Sequence, residues 1–507
     1  MNQYLTASTL YDYIQCPHKV WRDRFGPQEE KSQESNPFVE LLWEKGVSHE
    51  KDVVRALQLV DLSSTNKQDQ FDKTLEAMKN RTPLIYHGYL QYENYAGEPD
   101  LLRLESDGTY IPIDIKSGRG FEGTTEESDE NGKLKKHYAL QLAHYCELLS
   151  KLGFGNNHIG IILDSKNDEV IYDLDQPQGV KNQMTWWQHY EQVRFDVSRL
   201  MTNQVKNKPA YSSLCKLCPW YQSCKKWCTE TNDPTMIAYL GRSARDTLAE
   251  DLELNNATEL CTIDIDSLIG QKQKDKSFLP RIGEKQLEKF KFRAQINYQL
   301  KTPQFKSFPP FPKVNHELFF DIEDDPTQEF VYLHGVYERT PQGEKFIDDF
   351  VAADNTREAE KEAWVKFVRY VQSLPKNDFC LYYYSKHERT TYRKMQEMYP
   401  DVISLDELET WFVAPLGIDL YFDYVFKYTE WPLPSYSLKA IAQYLNFNWR
   451  DKTPSGALSI QWFNEYLADK DPAKLKRILE YNEDDCKATM VIKDYLEKAS
   501  TFNGGII

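Results

Sequence analysis

The sequence predicts a multidomain α/β chain. With 507 residues it exceeds what one hydrophobic core holds, so two or three domains are expected. Two stretches alternate strand-like and helix-like patterns, and a purely helical stretch lies between them. The 40% hydrophobic and 13% aromatic content suits packed cores rather than a disordered chain. The expected divisions fall at residues 1–230, 231–312 and 313–507.

In the first stretch, Ile111-Pro-Ile-Asp114-Ile-Lys116 reads as a strand entered from a hairpin turn at Glu105-Ser-Asp-Gly108. Alternation puts Asp114 and Lys116 on one face and the isoleucines on the other. Asp100, just before the strand Leu101–Leu104, offers a second carboxylate. Two carboxylates and a carbonyl suffice for Mg²⁺ or Mn²⁺, hard cations that keep several waters. Lys116 then neutralises charge on a phosphate or orients a water. Gln141 and Tyr145 sit four apart in the helical run Tyr138–Leu149 and share a face suited to gripping a phosphate or base. His49, ahead of the helical run from Lys51, is a further candidate ligand. Taken singly, each of these patterns is more often a solvated or packed surface.

Nine cysteines in a chain that opens on no signal peptide argue for a reducing, cytoplasmic setting rather than a disulfide scaffold. Cys215, Cys218, Cys224 and Cys228 crowd together at spacings suited to zinc or an iron–sulfur cluster. One arrangement is a local zinc knuckle of these four. The other recruits Cys16 as fourth ligand, closes a loop of about 200 residues and leaves Cys228 out.

Residues 1 to about 228 resemble the RecB-type nucleases of the PD-(D/E)xK superfamily, in particular the iron–sulfur kind related to CRISPR-associated exonucleases. The matching positions are Ser8-Thr-Leu10, Tyr13, Cys16-Pro17, His49, Gly97, Asp100, Asp114-Ile-Lys116, Gln141, Tyr145 and the closing cysteines. The resemblance implies a mixed sheet flanked by helices, Mg²⁺ or Mn²⁺ dependence, and cleavage of DNA with single-stranded ends. It implies a metal shell of His49, Asp100, Asp114 and the Ile115 carbonyl, with Lys116 catalytic. It also implies a [4Fe–4S] cluster on Cys16, Cys215, Cys218 and Cys224, with zinc as the alternative.

A second site is expected downstream. Glu317-Leu-Phe-Phe-Asp321-Ile-Glu323 reads as a strand with Asp321 and Glu323 on one face, and Tyr481 and Asp485 share a face of a helix running from Pro472 to Ala499. Asp-x-Glu on a first strand and Tyr-xxx-Asp on a last helix resemble the tyrosine-bearing DEDD exonucleases of the RNase H-like fold. The order of elements agrees: strands near 317–323, 330–337 and 345–351, a helix at 356–374 and a strand at 379–384. Acids clustered this way hold two cations roughly 3.5–4 Å apart, which clamp the attacking and leaving oxygens. The resemblance gives Tyr481 the task of positioning the attacking water. The family's middle aspartate is missing; Glu388 takes its place here, with Asp419 and Asp423 in reserve.

Between the two lie expected helices at 234–252, 257–269 and 283–300. The fragment Leu279-Pro-Arg-Ile-Gly283 resembles half a helix-hairpin-helix, and Phe308-Pro-Pro-Phe-Pro312 reads as a stiff hinge. The net charge of −16 repels nucleic acid, although residues 271–301 hold nine Lys/Arg against three Asp/Glu. That balance predicts salt-sensitive binding and allows a partner protein that delivers substrate. No run of about 18 apolar residues suggests a membrane span. The sequence therefore points to a two-site nuclease acting on DNA. An RNA-processing exonuclease using the C-terminal site alone, or a non-catalytic nucleic-acid-binding scaffold, are the other readings.

Overall fold

The computed structural model describes residues 4–33, 37–64, 66–122, 133–155, 158–179, 182–452 and 456–501. The chain divides into two compact units, Met1–Pro209 with Ser213–Lys225 and Ala210–Ser212 with Lys226–Ile507.

The first unit is built on a six-stranded sheet of β1 (Val60–Asp61), β2 (Leu84–Tyr86), β3 (Leu101–Leu104), β4 (Tyr110–Ile115), β5 (Ile159–Leu163) and β6 (Glu169–Asp173), adjacent in that order. The pairs β1–β2 and β4–β5 are parallel and the other three antiparallel. A tight turn joins β3 to β4: the Gly108 amide donates to the Glu105 carbonyl at 3.0 Å, and Gly108 has a φ of +89°. A side chain there would be strained, which is why glycine closes the hairpin. All six residues of β4 are buried, because helices cover both faces of the sheet. On one face Ile111, Ile113, Ile115, Leu101 and Ile161 pack against Val53 and Val54 of α3 (Pro37–Arg55), which follows α1 (Ala7–Gln15) and α2 (Pro17–Phe25). On the other, α4 (Lys136–Lys151) buries Leu140, Leu142 and Ala143 with Ile162 of β5, and α5 (Trp186–Met201) adds Trp186, Tyr190 and Val193.

The second unit begins with short helices around their own core of Ile237, Leu248, Leu260, Leu287 and Phe290. Two of the expected helices are interrupted. Pro234–Met236 is a single 3₁₀ turn, Tyr239 takes a left-handed φ of +63°, and α6 starts only at Arg242 (Arg242–Leu252). Likewise Ala257–Thr262 is 3₁₀, and Asp264 then caps α7 (Ile265–Lys274) by accepting from the Ser267 amide at 3.2 Å. The third, α8, spans Glu284–Gln295. The proline-rich segment is docked by its aromatics: Phe311 stacks on Tyr424 with ring centroids 4.3 Å apart.

The rest of this unit carries a five-stranded sheet of β7 (His316–Asp325), β8 (Phe330–Thr340), β9 (Gly343–Ile347), β10 (Phe379–Tyr383) and β11 (Gly417–Asp419). Their spatial order is β9-β8-β7-β10-β11, with β7–β10 and β10–β11 parallel and the hairpins antiparallel. Leu318, Phe320 and Ile322 of β7 pack with Trp364 and Phe367 of α9 (Arg357–Ser373). Further helices are α10 (His387–Met398), α11 (Leu438–Tyr444), α12 (Gly456–Asp469) and α13 (Pro472–Thr501). Trp364 is fully buried. Trp364→Ala is expected to destabilise this unit by about 3–5 kcal/mol, read as a drop in its denaturation midpoint; an unchanged midpoint would contradict the packing described.

Candidate active site

With Leu318, Phe320 and Ile322 turned toward α9, alternation leaves Asp321 and Glu323 on the opposite face of β7, beneath α13. Asp485 comes down from α13 to meet them. Carboxylate oxygens of Asp321, Glu323 and Asp485 all lie within 4.8 Å of one another. Three hard oxygen donors so placed fit a divalent cation such as Mg²⁺ or Mn²⁺. Burial and like charge push these acids up: Asp321 lies well above the usual carboxylate range, through burial and then Asp485 and Glu323, and Glu323 is raised to about 8 by burial and Asp485. Asp485 is also raised by burial, although Lys439 and a 2.8 Å hydrogen bond from Trp449 Nε1 oppose the shift.

What tolerates this cluster is an amide. Asn482, fully buried on α13, donates from Nδ2 to Asp321 Oδ2 at 2.9 Å and to Glu323 Oε1 at 3.3 Å. The room for it comes from Gly335 of β8, the cross-strand partner of Asp321. A Cβ at Gly335 would fall 1.4 Å from Asn482 Oδ1. Tyr332 adds a weaker contact from its hydroxyl to Glu323 Oε2 at 3.5 Å, and also meets Ser459 Oγ at 2.9 Å. Tyr481, one turn before Asp485, is buried, and its oxygen accepts from Lys439 Nζ at 2.8 Å.

Glu388 lies at the start of α10, 3% exposed, close enough to act on Asp321 but outside the tight trio. Its Oε2 has no hydrogen-bond partner among the described residues, and burial raises its carboxyl to about 8. Asp419 is spent structurally, its Oδ1 accepting from the amides of Ser385 and Phe422 at 3.0 Å each. Asp423 is half-exposed and pairs with Lys427. Of the three, Glu388 alone presents a buried oxygen in want of a partner.

In the first unit, Asp100 and Asp114 face each other across β3 and β4. The Asp100 amide donates to Asp114 Oδ1 at 3.4 Å, and the Ile115 amide donates to Asp100 Oδ2 at 2.7 Å. Lys116 Nζ stands 2.9 Å from Asp114 Oδ2. Burial, then Asp114, raises Asp100 to about 8; Lys116, pulled down by burial, is held above its ordinary value by Asp114 and Asp100. Gln141 Nε2 donates to the Tyr145 hydroxyl at 3.2 Å, and Tyr145 feels the charge of Asp114, so both turn toward the acids. Gly97 makes the place for that ring: a Cβ there would meet it at 2.8 Å.

His49 lies elsewhere. It lines a cleft with Val53, Leu84, Leu101, Ile113 and Leu163, on the isoleucine side of the sheet. Its neighbour Glu50 is the residue that reaches the acids, acting on Asp100 and Lys116. Glu50 accepts from the Tyr86 hydroxyl at 2.8 Å and pairs with His87 at 2.9 Å. His87 is raised to about 10 by Glu50 and Glu98, against the pull of burial.

Cys16, Cys215, Cys218 and Cys224 all belong to the first unit, and Cys16 and Cys215 act electrostatically on both Cys218 and Cys224. Burial first, then the other three sulfurs, raises Cys224 to about 11, with Arg22 opposing. Direct hydrogen bonds join the two distant segments: Trp220 Nε1 donates to Asp23 Oδ1 at 2.9 Å, Arg22 to Ser223 Oγ at 2.6 Å, and the Ser32 amide to the Pro219 carbonyl at 2.9 Å. Cys228 is fully buried and falls in the second unit.

Two expectations follow. Gly335→Ala displaces Asn482 and should weaken Mn²⁺ binding about 10–100-fold, as loss of ligand-supporting contacts does; unchanged affinity by calorimetry would show that Asn482 is dispensable. Asp321, Glu323, Glu388 and Asp485 all sit above their unfolded values, so between about pH 4 and 8 the folded state holds more protons than the unfolded. The metal-free protein should therefore lose thermal stability as pH rises from 5 to 8.5, and Mn²⁺ should restore more of it at 8.5. A metal-free melting temperature that rises across this range, or a Mn²⁺ effect unaltered in Asp321→Asn, would refute the account.

Residues 318–497 match the family model RNase_H_2 of the RNase_H superfamily. No curated protein matches the chain. No described helix is long and apolar enough to cross a membrane. The matched span contains Asp321, Glu323, Glu388, Tyr481 and Asp485, and it gives this mixed α/β chain an RNase H-like domain at its C-terminal end, from a superfamily that is generally nucleolytic and uses divalent metals.

Proposed function

We propose that the RNase H-like domain is a metal-dependent exonuclease of the tyrosine-bearing DEDD kind. The observation that carries this reading is the convergence of Asp321, Glu323 and Asp485 to within 4.8 Å, with Glu388 buried beside them. Asp321, Glu323 and Asp485 would hold the divalent ions, which when bound would supply charge neutralisation at the phosphate and a more acidic water. The reaction is hydrolysis: a water oxygen attacks phosphorus, the bond to the leaving sugar oxygen breaks, and the leaving oxygen ends protonated. Asn482 keeps Asp321 and Glu323 in place for the ions, and Tyr481 orients the attacking water.

We further propose a second nuclease site of the RecB-type PD-(D/E)xK kind in the first unit. Asp100 and Asp114 supply its acids, Glu50 adds a third, and Lys116, beside Asp114, faces the scissile phosphate. The placing of Cys16, Cys215, Cys218 and Cys224 in one unit, with Cys16 and Cys215 acting on both Cys218 and Cys224, supports a [4Fe–4S] cluster there. DNA with single-stranded ends is the proposed substrate, in repair, recombination or defence.

End-labelled single-stranded DNA and RNA, incubated in Mn²⁺ with wild type, Asp114→Ala, Asp485→Ala and the double variant, test both sites. Each single variant should abolish one set of products and spare the other. Preference for RNA with loss only in Asp485→Ala would leave the C-terminal site as the sole enzyme. Full activity in the double variant would overturn the catalytic reading. Anaerobically purified protein should be brown and contain about four irons per chain; colourless protein with stoichiometric zinc would refute the cluster.

A further inference from the structure

We propose that Lys439 is a positioning residue of the C-terminal site, setting the direction in which Tyr481 donates its hydroxyl proton; this rests on the nuclease reading above. Lys439 lies in the first turn of α11, whose start is capped by Ser437 Oγ accepting from the Ala440 amide. Its partly buried ammonium reaches over the acid cluster, 2.8 Å from the Tyr481 hydroxyl oxygen and 4.8 Å from the centre of that ring. It also sits 5.8 Å from the centre of the Trp449 ring, whose Nε1 holds Asp485 Oδ1 at 2.8 Å.

The donor count does the rest. A lysine ammonium carries three donors and no acceptor, while a phenol has a single proton and accepting lone pairs. Between Lys439 and Tyr481, therefore, nitrogen donates and oxygen accepts. The one phenolic proton must point away from Lys439. On that other side lies Asp485, one helical turn on, whose charge acts on Tyr481. Lys439 and Tyr481 thus form a one-way chain of donors directed toward the metal cluster. A water lying between Tyr481 and the acids meets the phenol as donor, which leaves the lone pair opposite free for attack on phosphorus. Without the ammonium, the hydroxyl rotor is free to turn its proton to solvent. Lys439 is also within electrostatic reach of Asp321, Glu323 and Asp485 together, so its charge faces the place where a phosphate must enter.

A double-mutant cycle on the full chain tests this, with Lys439→Met, Tyr481→Phe and the pair together. Lys439→Met should lower kcat about tenfold with little change in KM, and should change it less than about twofold when Tyr481→Phe is already present. Lys439→Arg, which keeps the donor and the charge, should recover much of the loss. Mn²⁺ affinity by calorimetry should be retained in Lys439→Met, because Lys439 is no ligand. Equal losses in both backgrounds, or Mn²⁺ binding weakened about tenfold, would overturn the proposal. If Lys439→Met does not fold, Lys439→Gln and Lys439→Arg complete the same cycle. Should Asp321→Asn spare the products that Asp485→Ala removes, the nuclease reading of the C-terminal site fails; should it abolish those products while the cycle is additive, only the role of Lys439 fails.

Discussion

Crowding of buried carboxylates is the constraint on which the second unit turns. Glu323, Asp485 and Glu388 are buried and Asp321 is partly so, and their charges repel one another. Such a cluster costs stability unless protons or cations neutralise it. The surrounding architecture answers that cost. Asn482 bridges two of the acids, Gly335 makes its room, Trp449 holds Asp485, and Lys439 places a positive charge above. Each of these comes from a different element, so sheet, α11 and α13 are fixed to one another by the needs of the site.

The same logic recurs in the first unit with other parts. Asp100 and Asp114 share backbone amides across a β3–β4 pair, and Lys116 supplies the cation from within the strand itself. Glycine again makes the opening, here Gly97 beneath Tyr145. In both units the acids stand beside buried apolar residues of their own strand, Phe320 and Ile322 on β7 and Ile113 and Ile115 on β4. A low-dielectric surrounding then strengthens every contact an ion or phosphate makes there.

How much of this the sequence displays depends on the range of the rule involved. Period-two alternation put Asp321 with Glu323 and Asp114 with Lys116, and the four-residue helical repeat put Tyr481 with Asp485. These rules act within one element, and the structure brings those residues together. Glu50 shows where they stop: it differs from His49 by one position, or about 100° around a helix, and only the phase of α3 against the sheet decides which one reaches the acids. Asn482 lay inside the Tyr-xxx-Asp repeat, yet its role depends on Gly335, about 150 residues away in sequence, through a packing contact no local pattern encodes. Lys439 and Trp449 were silent for the same reason. The broken helices at 234–252 and 257–269 were legible in part, since Gly241 and Asp264 stand where the breaks fall.

The central claim is that the acids beneath α13 form a divalent-metal centre. Crystals grown with Mn²⁺ and measured for anomalous scattering test it directly. The account predicts a peak bonded to oxygens of Asp321, Glu323 and Asp485, with Asn482 still bridging the first two. Density showing the trio empty at saturating Mn²⁺, with the ion bound only at the surface, would contradict it.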